Sequence, residues 1–315
     1  MKDSFGRDIY YLRLSVTDRC NLRCVYCMPE EGIQAFDKTD ILSYEEIAEI
    51  VRASSVCGIT KVRLTGGEPL VRRNIIDICE KVAHTSGITE LCLTTNGILL
   101  PKYVDDLKAA GVTRLNISLD SLDPITYKKI TRVGTLEGAL SGVYAALNTN
   151  FDAVKINAVL MGGVNDNEII ELVELTRKFK ANVRFIEMMP IGDTAELAGT
   201  SFVSASRVLE IVPSLNEVGS DGVAKLYRLP DGLGTIGLIS PISSHFCPTC
   251  NRIRVSSDGM LKPCLHSSEE ISLRGLSGKA LEETIAKAIY AKPLKHRLDE
   301  GNISESARNM NQIGG

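Results

Sequence analysis

Along residues 10–189 the chain switches repeatedly between two hydrophobic periods. Short runs with apolar and polar positions in alternation give way to longer runs with apolar residues three and four positions apart. The first period sends successive side chains to opposite faces of a strand. The second lays an apolar stripe along a helix. YYLRLSV (10–16), KVRLT (61–65), ELCLTT (90–95), RLNISLD (114–120), AVKINAVL (153–160) and NVRFIEMM (182–189) predict six strands. Five helical runs lie between them, at 43–58, 74–85, 101–111, 135–148 and 167–180. The first opens with Ser43 three residues before Glu46, a capping box, and closes near Gly58. Strand–helix units in series imply parallel strands with helices outside them. Six units fall two short of a closed eight-stranded barrel. The expected fold is α/β: a partial, open-sided (β/α)6 TIM-like barrel. Its ligands are expected at the C-terminal ends of the strands.

The pattern changes after about residue 195. One helix is expected over GTSFVSASRVLEIV (199–212). A hairpin is expected to turn around Pro230 to Gly232, and a second around Asp258 and Gly259. A helix should span 278–292, and the stretch 302–315 is polar and weakly patterned. The expected division is a barrel at 1–195 and a region of hairpins and helices at 196–315 that closes the barrel's open side.

Composition narrows the function classes. Of 315 residues, 44% are hydrophobic and 24% charged, enough for a substantial core. A net charge of −3 gives no global attraction to nucleic acid or to an anionic membrane. No apolar run approaches the roughly 18 residues needed to span a bilayer. The first residues, MKDSFGRDIYYLRL, lack the apolar core of a signal peptide, so a cytoplasmic location is expected.

That compartment bears on the nine cysteines, which in reducing surroundings favour metal binding or redox chemistry over disulfides. Cys20, Cys24 and Cys27 follow the first strand with spacing C-x3-C-x2-C. Thiolates suit zinc or iron–sulfur clusters. A structural zinc site wants four ligands, and three thiols on one loop do not supply them unless a distant ligand is borrowed. A [4Fe–4S] cube held by three cysteines keeps one iron open for chemistry. LTGGEPL (64–70) ends the second strand. Its paired glycines allow close backbone approach to a ligand. Glu68 offers an acceptor for an amino group. Cys247, Cys250 and Cys264 form a second trio, C-x2-C-x13-C, for which zinc with His245 or His266 is the competing reading. Arg252 and Arg254 alternate on one face of the adjoining strand and suit an anionic ligand. Cys57, Cys79 and Cys92 stand singly and are assigned to the core.

The C-x3-C-x2-C loop resembles the cluster motif of the radical S-adenosylmethionine (SAM) superfamily, and GGEP resembles its SAM-binding turn. TDRCNLRCVYCMP, RLTGGEPLVR, LTTNG, LNISLDS, RFIEMMPIG and FCPTCNRIRVSSDGMLKPCL recur in the order seen in the GTP 3′,8-cyclases of molybdenum cofactor biosynthesis. The resemblance runs from about Arg13 to Gly315, and the terminal Gly-Gly belongs to it. In that family the tail reaches into the active site.

The resemblance implies two [4Fe–4S] clusters, each on three cysteines with one open iron. SAM is chelated at the first cluster and cleaved to a 5′-deoxyadenosyl radical; the guanine base of GTP is held at the second. Abstraction of the ribose 3′ hydrogen and attack on C8 give 3′,8-cyclo-7,8-dihydro-GTP. It implies SAM contacts at Tyr26, Gly67, Ser118 and Met189. It implies GTP contacts at Arg13, Arg63, Thr94, Lys155, Arg252 and Arg254, with Arg184 a further candidate. It also implies a homodimer, a separate electron donor and a downstream cyclic pyranopterin synthase. Two other classes compete: a radical SAM enzyme that modifies peptides, and a non-enzymatic iron–sulfur carrier or zinc-stabilised binding module.

Overall fold

The computed structural model describes residues 1–298 and 304–314. The strands are β1 (Tyr11–Ser15), β2 (Lys61–Thr65), β3 (Glu90–Thr95), β4 (Arg114–Ser118), β5 (Ala153–Leu160), β6 (Asn182–Glu187), β7 (Asn216–Asp221), β8 (Ala224–Arg228), β9 (Thr235–Ile239), β10 (Arg252–Val255), β11 (Met260–Lys262) and β12 (Ile271–Ser272). The helices are α1 (Tyr44–Val56), α2 (Ile75–Ala83), α3 (Leu100–Ala109), α4 (Pro124–Thr131), α5 (Leu136–Asn148), α6 (Ile169–Lys178), α7 (Ala195–Thr200), α8 (Arg207–Ile211) and α9 (Gly278–Tyr290).

All twelve strands join one sheet, in the order β12-β11-β10-β1-β2-β3-β4-β5-β6-β9-β8-β7. Strands β1 to β6 are parallel neighbours in sequence order, as the strand–helix alternation predicts. β12 and β7 are its two ends, so the barrel is open. Alternation decides which face does what. Leu12, Leu14, Val62, Leu64, Leu91, Leu93, Leu115 and Ile117 point outward and are buried under the helices. The intervening positions, Tyr11, Arg13, Arg63, Asn116 and Ser118, line a cavity on the inner face. The Ser43 capping box forms as the sequence predicts. Ser43 Oγ accepts from the Glu46 N–H at 3.1 Å, and Glu46 accepts from the Ser43 N–H at 2.7 Å.

Two local expectations change and one helix is new. The helix expected over 199–212 breaks into α7 and α8. Buried Glu187 accepts from the Ala205 N–H and the Ser204 hydroxyl, which holds the intervening chain out of helix. α4 goes unread in the sequence, although Asp123 caps it by accepting from the Thr126 N–H at 2.7 Å. Cys57 is only half-buried at the end of α1, whereas Cys79 and Cys92 lie in the core.

The two expected C-terminal hairpins, β8–β9 and β10–β11, turn where predicted, whereas β7 and β12 go unread in the sequence; together these strands extend the sheet at both edges. β10 pairs in parallel with β1, and β9 with β6. Strands from both sides of the expected boundary at 195 therefore share one sheet.

Candidate active site

The first cysteine trio sits on the loop after β1, folded against the turn after β2. The Gly67 N–H donates to the Thr17 carbonyl at 2.7 Å and the Glu68 N–H to the Arg19 carbonyl at 2.8 Å. A Cβ on Gly67 would run into the carbonyls of Arg19 and Asp18. These glycines thus admit the cysteine loop itself. Glu68, expected as an acceptor for an amino group, lines the cavity and has a structural task as well. Its Oε1 accepts from the Thr95 hydroxyl (2.7 Å) and the Leu70 N–H (3.1 Å), and its Oε2 from the Asn96 N–H (2.7 Å). Both oxygens thus brace the β2 and β3 turns. Burial raises its carboxyl to about 7.

Burial also pushes the thiols up: Cys20 to about 11, Cys27 to about 12, and Cys24 well above the usual range. Thiolates in such a place need metal charge beside them. Donors already face the sulfurs. The Leu22 N–H reaches Cys20 Sγ at 3.3 Å, and the Asn311 N–H donates to Cys27. Tyr26 donates its hydroxyl to Asp120 at 2.7 Å, while the other oxygen of Asp120 accepts from the Val159 N–H at 2.8 Å.

The second trio is assembled from separated segments. Cys247 opens a 3₁₀ turn (Cys247–Thr249), Cys250 ends it, and Cys264 follows β11. Arg7, from the N-terminal segment, donates to the carbonyls of Cys247 (2.8 Å), Leu294 (2.9 Å) and Pro293 (2.7 Å). Backbone N–H groups of His296 and Arg252 donate to the Cys247 and Cys250 sulfurs. Burial would raise the Cys250 thiol, but the cations of Lys292 and Arg252 outweigh it and bring the thiol down. The His245 and His266 rings pack edge-on against His296, at 4.6 and 5.0 Å.

Among the described residues, no three His, Cys, Asp or Glu groups converge closely enough to chelate a single metal ion. A [4Fe–4S] cluster would take its thiolates on separate irons rather than on one ion. Three soft ligands and N–H donors on the sulfurs fit such a cluster at each trio.

Between the trios runs a row of cations. Register places Arg254, Arg13 and Arg63 side by side on β10, β1 and β2. Burial, then Arg254, pulls Arg13 well below the usual arginine range. Burial, then Arg252, brings Arg254 down to about 10. The Nη2 of Arg252 is buried without a hydrogen-bond partner, and its guanidinium lies over the Phe246 ring, 5.3 Å from the centroid. Clustered buried cations lose several kcal/mol of hydration each unless an anion joins them. The wall is built to receive one.

One cavity of about 400 Å³ connects everything. Both cysteine trios line it, as do Tyr26, Gly67, Ser118 and Met189, and Arg13, Arg63, Thr94, Lys155, Arg252, Arg254 and Arg184. Every residue expected in the site therefore faces one space. Met189 does so from the loop two residues beyond β6. Sequence reasoning missed Lys61, Asp120, Asp221 and Asn311, which line it too. Lys61 had a signal: it lies two positions before Arg63 on the same strand face. Asp221 had none, because its partners are distant in sequence.

The tail docks at the cavity. Arg254 donates to the Gly314 carbonyl at 2.7 Å, and Asn311 Nδ2 to the Asp18 carbonyl at 3.1 Å. Gly314 adopts φ +71°, and a Cβ there would strike Thr65 Oγ1. Gly315 lies outside the described residues. Upstream, Arg308 forms bidentate ion pairs with Asp258 (2.9 and 2.8 Å) and Glu270 (2.7 and 2.7 Å).

Comparison with known proteins bears on the fold and the family. The profile of the radical SAM superfamily matches residues 14–176, and that of Molybdenum Cofactor Synthesis C matches residues 181–298. GTP 3′,8-cyclases of Alkaliphilus oremlandii and Alkaliphilus metalliredigens are 47% and 48% identical to this chain, and that of Petrotoga mobilis 45%, each over 100% of both chains. Among solved structures, Streptococcus suis SuiB bound to S-adenosylmethionine aligns with a TM-score of 0.65 at 17% identity, covering 92% of this chain and 67% of its own. The anSMEcpe structure with bound AdoMet aligns at 0.56 and 15%, covering 89% and 82%. These structural likenesses concern the fold alone. Full-length identity and both profiles place the chain in a single family: it belongs to the GTP 3′,8-cyclases of the radical SAM superfamily.

Proposed function

We propose that this protein is a radical SAM lyase that converts GTP to (8S)-3′,8-cyclo-7,8-dihydroguanosine 5′-triphosphate, early in molybdenum cofactor biosynthesis. The observation that carries the reading is the single cavity, with a cysteine trio at each end and a row of cations between. Cys20, Cys24 and Cys27 would hold one [4Fe–4S] cluster and Cys247, Cys250 and Cys264 a second. Bound there, cluster and SAM supply a hydrogen-atom abstraction that no side chain provides.

The chain's own residues bind, orient and shield. Tyr26, held by Asp120, takes the adenine side of SAM, with Gly67, Ser118 and Met189 around the cofactor. Arg13, Arg63, Lys155, Arg252 and Arg254, with Thr94, take GTP. A triphosphate of about −4 charge offsets the repulsion among buried cations. Its binding energy then fixes the ribose toward the first trio and the base toward the second. Burial of the cavity limits quenching by water. By this reading, residues 1–195 carry the radical-generating trio and part of the GTP wall, and 196–315 add the second trio, Arg252 and Arg254. A cytoplasmic homodimer, a separate electron donor and a downstream cyclic pyranopterin synthase follow from the family resemblance.

One anaerobic assay tests the whole. Reconstituted protein, SAM and a strong reductant are mixed with each nucleoside triphosphate in turn, and products are read by mass spectrometry. Cyclised product and 5′-deoxyadenosine with GTP alone are expected. Slow 5′-deoxyadenosine release that no nucleotide changes would overturn the substrate assignment and move the search to peptides.

A further inference from the structure

Four carboxylates line the cavity among the described residues: Glu68, Asp120, Glu187 and Asp221. The first three accept backbone N–H groups, from Asn96, Val159 and Ile242 respectively, and so hold loops in place. Asp221 is different. Its Oδ2 takes both Lys155 Nζ and Arg184 Nη2, the latter at 2.6 Å. Those cations are almost wholly buried, with side chains 4% and 9% exposed, whereas Asp221 is 37% exposed. The carboxylate enters from outside and sits on two cations that belong to the wall.

Its mounting also differs. Asp221 ends β7, and Gly222 turns the chain with φ +63° and no heavy atom near where a Cβ would stand. β7 is the last strand of the sheet, pairs only with β8 and is largely exposed. The hairpin tip can therefore shift at little packing cost, while Lys155 on β5 and Arg184 on β6 cannot.

We propose that Asp221 stands in for a substrate phosphate: it holds Lys155 and Arg184 in the wall before substrate arrives and yields both to the phosphate chain of the nucleoside triphosphate. The inference rests on the reading that this wall takes the triphosphate. Two buried cations side by side need an anion at all times. An internal carboxylate supplies it in the free protein and keeps both side chains aimed. A phosphate chain carrying about −4 charge displaces a single carboxylate, and weaker anions compete less well. Asp221 is thus a positioning residue that sets how strongly the site holds triphosphate.

The test compares wild type, Asp221→Asn and Asp221→Glu, each loaded with its clusters, binding GTP, inorganic triphosphate and guanosine by calorimetry. Asp221→Asn should bind GTP and inorganic triphosphate roughly three- to tenfold more tightly, with steeper salt dependence, and guanosine unchanged. Asp221→Glu keeps the charge and should behave as wild type. Unchanged or weaker GTP binding by Asp221→Asn overturns the proposal, as does an equal shift for guanosine. Wild type that binds GTP no better than guanosine would show that the phosphate reading of the wall itself is wrong, and the proposal falls with it.

Discussion

The two cysteine trios face each other across one cavity and are built by opposite means. The first is local. Three thiols lie within eight positions on one loop, and burial, helped by repulsion from Asp120, Glu68 and one another, pushes all three up. The second spans residues 247–264 and is held from outside, by Arg7 on the Cys247 carbonyl and by backbone donors from His296 and Arg252. There burial still pushes Cys247 up, but at Cys250 the cations of Lys292 and Arg252 outweigh it and pull the thiol down. The contrast teaches a division of labour. A buried pocket edged by Glu68 and Asp120 suits a site that would accept an electron and a cofactor. A site ringed by Lys292, Arg252 and Arg254 suits one that must accept an anionic substrate.

The largest effect expected on that comparison comes from removing either trio. Cys24→Ala should abolish both 5′-deoxyadenosine and cyclised product. Cys264→Ala should abolish only cyclisation and leave SAM cleavage measurable. Iron analysis should fall from roughly eight per chain to roughly four in each case. Equal loss of SAM cleavage in both variants would erase the functional distinction.

Next comes the anion wall. Arg252→Ala should weaken GTP binding by roughly 10- to 100-fold, the value of a charge-assisted hydrogen bond. SAM binding should not change. Lys155 sharpens the same point through pH. Burial, then repulsion from Arg184, lowers it to about 8. Its ammonium is present below that value and lost above it, so GTP affinity should decline as pH rises through about 8. Lys155→Arg should remove the decline, which binding measured between pH 7 and 9 will show.

A smaller effect belongs to the tail that links the two sites. Arg308 joins Asp258 and Glu270, whose carboxyls it holds below their ordinary range against the opposing effect of burial. A depressed folded pKa means stabilisation above the unfolded value of about 4, lost as pH falls through the folded one. Protection factors over residues 304–314, corrected for the intrinsic pH dependence of exchange, should fall in acid, and at neutral pH in Arg308→Ala. The smallest effect is Ser43→Ala, which removes a helix cap far from both trios. It should cost about 1 kcal/mol of stability with turnover unchanged.

The barrel half was legible because its information is local. Hydrophobic period reports which face of an element is buried, and capping residues such as Ser43 report where a helix starts. The first trio was legible for the same reason, since its three ligands share one loop. Arg13 and Arg63 could be read as neighbours once β1 and β2 were known to be parallel. What period cannot report is which strand pairs with which. The parallel pairings of β10 with β1 and of β9 with β6 join residues far apart in sequence, such as Leu12 with Ile253. Those pairings alone bring Arg252 and Arg254 beside Arg13, and set the hairpin carrying Asp221 over Lys155 and Arg184. Glu68 and Glu187 make the same case from the other side. Glu187 is unremarked in the sequence and Glu68 is read there only as an acceptor for an amino group; each acquires its bracing role only when distant backbone N–H groups arrive at it. Burial removes water from such groups, and whichever partner tertiary packing supplies then decides what they do.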